Sequence, residues 1–133
     1  MCGIAGFAGP EGSSEALRKM AGAIRRRGPD DEGFYESRGV GFAFRRLSII
    51  DVDGGHQPLS NGDGTVWVML NGEIYGYGTL REELESLGYL FKTKTDTEVI
   101  AHGYDEWGDD VFERLNGMFA IAIWDVKRSR LVL

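Results

Sequence analysis

Residues 65–75 read TVWVMLNGEIY, and the first six of these positions predict a central strand of a sheet. Valine, threonine and tryptophan favour strands because their side chains pack well on a pleated surface. The segment is short and apolar, and it follows a stretch rich in turn-forming residues, which is typical of a buried strand. We therefore expect the rest of the chain to pack around a sheet that contains these residues.

Strand-like sequence also lies toward both ends of the chain. Strands are predicted over residues 3–8, 34–35, 40–50, 89–91, 118–124 and 131–133, with the last two joined as a hairpin that turns at 125–130. Residues 51–64 are rich in glycine and proline and predict a long loop.

Helical patterns lie between these strands. The first helix is predicted to begin at Ser13 or Ser14, to bury Leu17, Met20, Ala21 and Ile24, and to end at Gly28. Two more are predicted to open at capping boxes, residues 79–82 and 95–98, and a short helix is predicted over 111–115. Strands at both ends with helices between them indicate an α+β fold of antiparallel sheets that carry helices on a face.

The composition excludes several classes of protein. With 21 acidic and 15 basic side chains, the chain has a formal charge of −6, which argues against binding to nucleic acid or to an anionic membrane. No apolar run approaches the roughly 20 residues that span a bilayer, and the N-terminus does not resemble an export signal. A single cysteine excludes an internal disulfide. A cytoplasmic location is the expectation.

That single cysteine, Cys2, has two interpretations. A free cysteine is commonly a small buried apolar residue at a strand edge. If Met1 is removed, however, Cys2 carries a thiol and an α-amine whose reference pKa lies near 7.7–8.0, so the amine can accept the thiol proton. One residue then supplies both a nucleophile and its base.

Other candidate residues also have a structural alternative. Asn71-Gly72 can bind an oxyanion through an amide side chain and an unhindered N–H, or it can form a type I′ hairpin turn. Arg46 can grip a carboxylate or point outward, and Glu73 and Asp96 can hold an ammonium group or serve as surface and helix-start acids. His56 and His102 have no metal-ligand spacing and are expected to be structural or exposed.

Six segments together resemble the glutaminase domain of asparagine synthetases and, more widely, the class II (N-terminal nucleophile) glutamine amidotransferases. They occur in the order MCGIAGF (1–7), RRGPDDEG (26–33), RRLSIIDVDGGHQPL (45–59), LNGEIY (70–75), TDTEVIAHGYDEWG (95–108) and LNGMFAIAIWD (115–125). The resemblance covers nearly the whole chain. It implies a four-layer αββα sandwich of two antiparallel sheets with the active site between them.

The resemblance also implies a role for each candidate residue. Cys2 would attack the side-chain amide of glutamine and form a γ-glutamyl thioester, and water would then release glutamate. Asn71 and Gly72 would form the oxyanion hole. The remaining residues would hold or surround the substrate: Arg46 its α-carboxylate, Glu73 and Asp96 its α-ammonium, and Leu47 and Ile49 the pocket wall.

The resemblance further predicts the cofactors and partners. The glutaminase step would need no metal or organic cofactor, whereas ATP and Mg²⁺ would belong to a synthetase domain that this chain lacks. Ammonia would normally pass to that domain. Relatives continue through further strands, so residues 1–133 are expected to form a glutaminase domain without its last strands. The exposed apolar edge at Leu131–Leu133 is expected to favour a homodimer. A non-catalytic glutamine- or partner-binding module with Met1 retained is the alternative.

Overall fold

Seven strands form two antiparallel sheets in the computed structural model, which describes residues 2–48 and 54–133. The three-stranded sheet has the order β1-β3-β2, and the four-stranded sheet has the order β4-β5-β6-β7. In chain order, the strands are β1 Gly3–Ala8, β2 Asp31–Ser37, β3 Val40–Arg46, β4 Leu59–Ser60, β5 Val66–Ile74, β6 Gly117–Asp125 and β7 Arg130–Val132.

Among the described residues, four helices lie outside the two sheets. They are α1 Ser14–Ala23, α2 Tyr77–Ser86, α3 Asp96–Trp107 and α4 Val111–Arg114, the last following a 3₁₀ turn at Gly108–Asp110. Leu17 and Ala21 of α1 pack on Ala43 of the first sheet. Ile100 and Tyr104 of α3 pack on the second sheet, in a cluster that includes residues of β5 and β6.

An apolar layer between the two sheets completes the architecture. Phe42 and Phe44 of β3 pack against Met69 of β5 and Ala122 of β6. The order of layers is therefore helix, sheet, sheet, helix, and it confirms the predicted α+β sandwich. Because side chains alternate between the faces of a strand, this layer also determines which residues of β5 face the first sheet: Trp67, Met69 and Asn71.

The prediction for β5 was right in position but too short. The strand continues through Asn71 and Gly72 to Ile74, paired with β6 so that Asn71 lies opposite Ala120 and Gly72 opposite Phe119. The hairpin-turn interpretation of Asn71-Gly72 is therefore wrong. Only glycine fits at position 72, because its φ is +152° and a Cβ there would lie 2.0 Å from the carbonyl oxygen of Met118.

Three other strand predictions need correction. The strand predicted over 40–50 ends at Arg46, and its last two positions lie outside the described residues. The strand predicted at 34–35 is longer, and the predicted loop contains the two-residue strand β4. Residues 89–91 do not form a strand, because the rings of Tyr89 and Phe91 pack on His102 instead. The hairpin of β6 and β7 is confirmed.

The helix predictions are more accurate for where the helices begin than for which side chains cap them. Ser13 caps α1, since its Oγ accepts a hydrogen bond of 3.2 Å from the N–H of Ala16, but Met20 is 37% exposed rather than buried. Helix α2 begins two residues before the predicted capping box, after Gly76 in the left-handed conformation. Helix α3 begins as predicted, but neither predicted box makes its side-chain cap.

Candidate active site

A cavity of about 430 Å³ lies where the inter-sheet layer meets the N-terminus of α3. Seven of the eight predicted site residues line it: Cys2, Arg46, Leu47, Asn71, Gly72, Glu73 and Asp96. The eighth, Ile49, lies outside the described residues. Residues that are up to 94 positions apart in the sequence thus line one cavity. Cys2 and Arg46 lie at the ends of strands of the first sheet, and Asn71 lies in the second sheet.

Cys2 immediately precedes β1 and is held at two points. Its Sγ accepts a hydrogen bond of 3.5 Å from the N–H of Leu47, and the thiol lies 3.8 Å from the carbonyl oxygen of the same residue. Its carbonyl oxygen accepts a hydrogen bond of 3.1 Å from Nε of Arg27. The side chain is half-buried and packs at the edge of the inter-sheet layer. The thiol is therefore fixed in direction while part of it faces the cavity.

Arg46 is the last residue of β3 and is only 6% exposed. It lies opposite Asp31 in the register of β2 and β3. Burial works to raise the pKa of Asp31, but the hydrogen bonds from His56 and from the N–H of Glu32, helped by the nearby charge of Arg46, outweigh it, and the pKa is lowered. A guanidinium at the cavity wall can bind a carboxylate through two parallel hydrogen bonds.

Asn71 faces the first sheet from β5. Its Oδ1 is buried, and no hydrogen-bond partner for it is found among the residues that the structure describes. A buried polar atom without a partner is costly and uncommon in folded proteins. Oδ1 can only accept a hydrogen bond, so the NH₂ end of this side chain and the backbone N–H of Gly72 are the candidate donors at this part of the cavity.

Two carboxylates also line the cavity, those of Asp96 and Glu73. Asp96, at the start of α3, accepts a hydrogen bond of 2.9 Å at Oδ2 from the N–H of Ile74. Burial raises the pKa of Asp96 despite that bond, and the negative charge of Glu73 raises it further. A cation bound beside two neighbouring carboxylates is stabilised by both of their negative charges.

Sequence reasoning missed three polar residues that line the cavity, Gln57, Thr95 and Thr97, and the first and last of these are bonded to each other. Nε2 of Gln57 donates a hydrogen bond of 3.0 Å to Oγ1 of Thr97, and Oε1 of Gln57 accepts one of 2.7 Å from the N–H of Leu70. Both residues lie within quoted motifs. Their contacts depend on how the loop before β4 approaches β5, which periodicity does not show.

Nothing in residues 2–48 and 54–133 forms a group of three or more histidine, cysteine or acidic side chains that could hold a metal ion. In the same residues, no helix combines the length and hydrophobicity needed to cross a bilayer. His56 is exposed and contacts Asp31, whereas His102 is buried between aromatic rings.

Comparison with known proteins agrees with this architecture. A family model described as the glutamine amidotransferase domain matches residues 1–133. The chain belongs to this family. The amidotransferase domain is 47% identical to asparagine synthetase [glutamine-hydrolyzing] 1 of Bacillus subtilis, an alignment that covers 94% of this chain and 21% of the relative. It is 48% identical to asparagine synthetase 2 of the same organism, over 100% of this chain and 18% of the relative.

A plant relative and a solved structure extend the comparison. Asparagine synthetase [glutamine-hydrolyzing] 2 of Arabidopsis thaliana is 43% identical over 99% of the amidotransferase domain and 23% of its own length. The domain thus spans about a fifth of these relatives. Glutamine phosphoribosylpyrophosphate amidotransferase from B. subtilis superposes with a TM-score of 0.73 at 19% identity, over 95% of the domain and 35% of that chain. This likeness confirms the fold of two packed antiparallel sheets with helices outside them.

Proposed function

We propose that the chain hydrolyses glutamine to glutamate and ammonia, with Cys2 as its nucleophile. The observation that carries the proposal is the convergence of a thiol, a side-chain amide, a guanidinium and two carboxylates on one cavity. The guanidinium of Arg46 matches an α-carboxylate, and the carboxylates of Glu73 and Asp96 match an α-ammonium. An amino acid bound between them extends its side chain toward Cys2.

The reaction proceeds in two steps. With Met1 removed, the α-amine of Cys2 takes the thiol proton, and Sγ attacks the side-chain carbonyl carbon of glutamine. The oxyanion that develops is stabilised by the amide of Asn71 and the N–H of Gly72. The amine returns its proton to the leaving nitrogen, so ammonia departs and a thioester remains. Water then attacks the thioester, releases glutamate and restores the thiol.

This chemistry requires no metal or organic cofactor, because the chain supplies the nucleophile, the base and the oxyanion donors. The relatives named above are glutamine-hydrolysing asparagine synthetases. We infer from their names that the ammonia serves a synthetase-type domain, to which ATP and Mg²⁺ belong.

We also propose that two copies of the chain associate through β7. Within the described residues, β7 is the edge strand of its sheet, and Leu133 beyond it is 89% exposed. An apolar groove of about 430 Å³ between the sheets is lined by Leu131 and Leu133 together with β1. An uncovered edge beside an apolar groove is a ready template for pairing with a second chain.

Intact mass combined with glutamate release from glutamine tests the catalytic proposal. We expect chains that lack Met1 to release glutamate, and the Cys2→Ala variant, which keeps the cavity but has no thiol, to release none above background. Equal release by both proteins would overturn the proposal. Glutamine binding without release, in protein whose mass shows free Cys2, would identify a non-catalytic binding module instead.

A further inference from the structure

The side chain of Gln57 occupies a hydrogen-bonding position on β5 that lies just beyond the end of the short strand β4. The register that pairs Leu59 with Val68 places Gln57 opposite Leu70 when it is extended by two residues. Strand β4 covers only Leu59–Ser60. Leu70 lies two residues beyond Val68 on β5. Its N–H donates a hydrogen bond of 2.7 Å to Oε1 of Gln57, where a longer β4 would have offered a main-chain carbonyl.

The other end of the same amide reaches α3. Nε2 of Gln57 donates to Oγ1 of Thr97 at 3.0 Å, and both residues are buried, with exposures of 8% and 1%. The orientation of the amide is determined by chemistry, because a backbone N–H can only donate and therefore requires the oxygen of Gln57. One side chain thus links the outer edge of β5 to the first turn of α3.

Each contact of Gln57 lies one residue away from a proposed site residue. Leu70 precedes Asn71, and Thr97 follows Asp96. A second link, from the N–H of Ile74 to Oδ2 of Asp96 at 2.9 Å, joins the same two elements on the far side of Gly72. The oxyanion-binding segment of β5 is therefore held against α3 both before and after Asn71-Gly72.

Gln57 is also fixed at its backbone. A Cβ at Gly33 of β2 would lie 1.8 Å from the carbonyl oxygen of Gln57, so β2 and this residue are in close contact. Strand β2 belongs to the same sheet as β1, which follows Cys2. Gln57 is consequently in contact with the sheet of the nucleophile, the strand of the oxyanion hole and the helix that carries Asp96.

We propose that Gln57 is a positioning residue that sets the distance between the oxyanion-binding segment of β5 and the ammonium-binding N-terminus of α3. This inference rests on the proposed function. Removal of the amide leaves the N–H of Leu70 without its acceptor and lets α3 move relative to β5. Small displacements of this kind lower rates steeply, because reacting groups must lie in near-attack geometry.

Two pairs of variants test the proposal in protein from which Met1 has been removed. Gln57→Met keeps the length of the side chain and removes both hydrogen bonds. Its control is Asn61→Leu, because Oδ1 of Asn61 accepts from the N–H of Val66 on the same strand, outside the cavity. Thr97→Val breaks only the link to α3, and Thr97→Ser retains the hydroxyl.

We expect Gln57→Met to lower kcat/KM for glutamine by at least about tenfold, through both a lower kcat and a higher KM. Thr97→Val should chiefly raise KM, since it frees the helix of Asp96, and Thr97→Ser should restore it. Asn61→Leu should change stability while its kinetic constants stay within about twofold of the wild type. Equal kinetic losses in Gln57→Met and Asn61→Leu, or no loss in Gln57→Met, would overturn the positioning role.

A second readout separates this inference from the proposed function. If wild-type protein releases no glutamate, the hydrolytic proposal fails, and the positioning role is then judged by the protection that glutamine gives Cys2 against alkylation by iodoacetamide. A weaker protection constant in Gln57→Met than in Asn61→Leu supports the inference. Equal protection in both variants, or none in the wild type, overturns it.

Discussion

At the scale of single residues, the candidate site depends on Gly72, a position where only glycine fits, and on Asn71 beside it. Gly72 has a φ of +152° and no room for a Cβ beside the backbone of Met118. Next to it, the buried Oδ1 of Asn71 has no hydrogen-bond partner in the part of the chain that the structure describes. Sequence analysis identified both residues but not their environment, because a strand that continues through Asn-Gly contradicts the strongest local turn signal. Pairing with β6 along its whole length outweighs that signal.

Replacement of Gly72 by alanine is expected to destabilise the chain and to abolish glutamate release. The new Cβ would lie 2.0 Å from the oxygen of Met118, so β5 and β6 must separate locally, at a cost of about 1–3 kcal/mol. Denaturant unfolding and glutamate release measure the two effects. Gly62→Ala is the control, since no atom lies within 4 Å of its added Cβ. Equal losses of stability and of glutamate release in Gly72→Ala and Gly62→Ala would contradict the steric requirement for glycine at position 72.

Replacement of Asp96 by asparagine is expected to raise the KM for glutamine by about tenfold or more while kcat changes less. The variant keeps an oxygen for the N–H of Ile74 but loses the charge that binds an ammonium group, and charge-assisted bonds contribute about 1.5–3 kcal/mol. The test is the steady-state kinetics of glutamate release. A KM unchanged from the wild type would show that Asp96 does not bind the substrate.

The pH dependence of KM follows from the same carboxylate. Burial raises the pKa of Asp96, so its protonated form persists to a higher pH than in an exposed aspartate. Because only the ionised form attracts an ammonium group, KM should rise in the wild type as the pH falls through that raised pKa. The Asp96→Asn variant should lack this acidic limb, and an identical limb in both proteins would assign it to another group.

At the scale of elements, the segment before α3 shows why a predicted helix start can be right while its cap is wrong. The sequence TDTE predicts a capping box, but Glu98 turns away from Thr95. Its carboxylate accepts hydrogen bonds of 2.7 Å from the N–H groups of Lys92 and Thr93. The side chain thus holds the preceding loop against the helix, a tertiary role that a four-residue motif cannot show.

The stability of the chain is expected to depend on Glu98 below pH 5. Burial works to raise its pKa, but the nearby imidazole of His102 and the N–H donors outweigh burial and lower the pKa to about 2 from an ordinary value of 4.5. A lowered pKa contributes stability that is complete above pH 4.5 and is lost as the pH falls toward 2. The contribution is about 3 kcal/mol at most.

Denaturant unfolding of wild type and Glu98→Gln between pH 3 and pH 7 would measure this contribution. The glutamine side chain can replace one acceptor but does not titrate. The difference in unfolding free energy between the two proteins should therefore shrink as the pH falls. A difference that stays constant across this range would show that the charge of Glu98 has no part in stabilising the loop.

At the scale of the whole molecule, the four-layer sandwich was predictable because the six quoted motifs share their order with a known family. The start of α1 also followed from a local pattern, its serine cap, whereas the helix ends at Ala23 rather than at the predicted Gly28. The contacts of Gln57 could not be predicted, since they depend on the register between a two-residue strand and β5. Non-local register leaves little trace in a single sequence.

Self-association through β7 should appear as a mass that rises with protein concentration in light scattering. The Leu133→Lys variant places a charge beside the edge and should remain monomeric, because charged side chains at sheet edges oppose pairing. Leu90→Lys is the control, since Leu90 is also highly exposed but lies between α2 and α3. A wild-type chain that is monomeric at every concentration would contradict the proposal.

Because the candidate site is divided between two sheets, the thickness of the apolar layer between them should affect catalysis. Cys2 is attached to β1 and Asn71 belongs to β5, and Phe44 of β3 and Met69 of β5 pack between the two sheets without lining the cavity. Hydrostatic pressure acts on internal voids, so it should alter glutamate release at pressures below those that unfold the chain. Two substitutions that lower the free energy of unfolding equally should then differ in their rate of glutamate release if only one of them changes the spacing between the sheets.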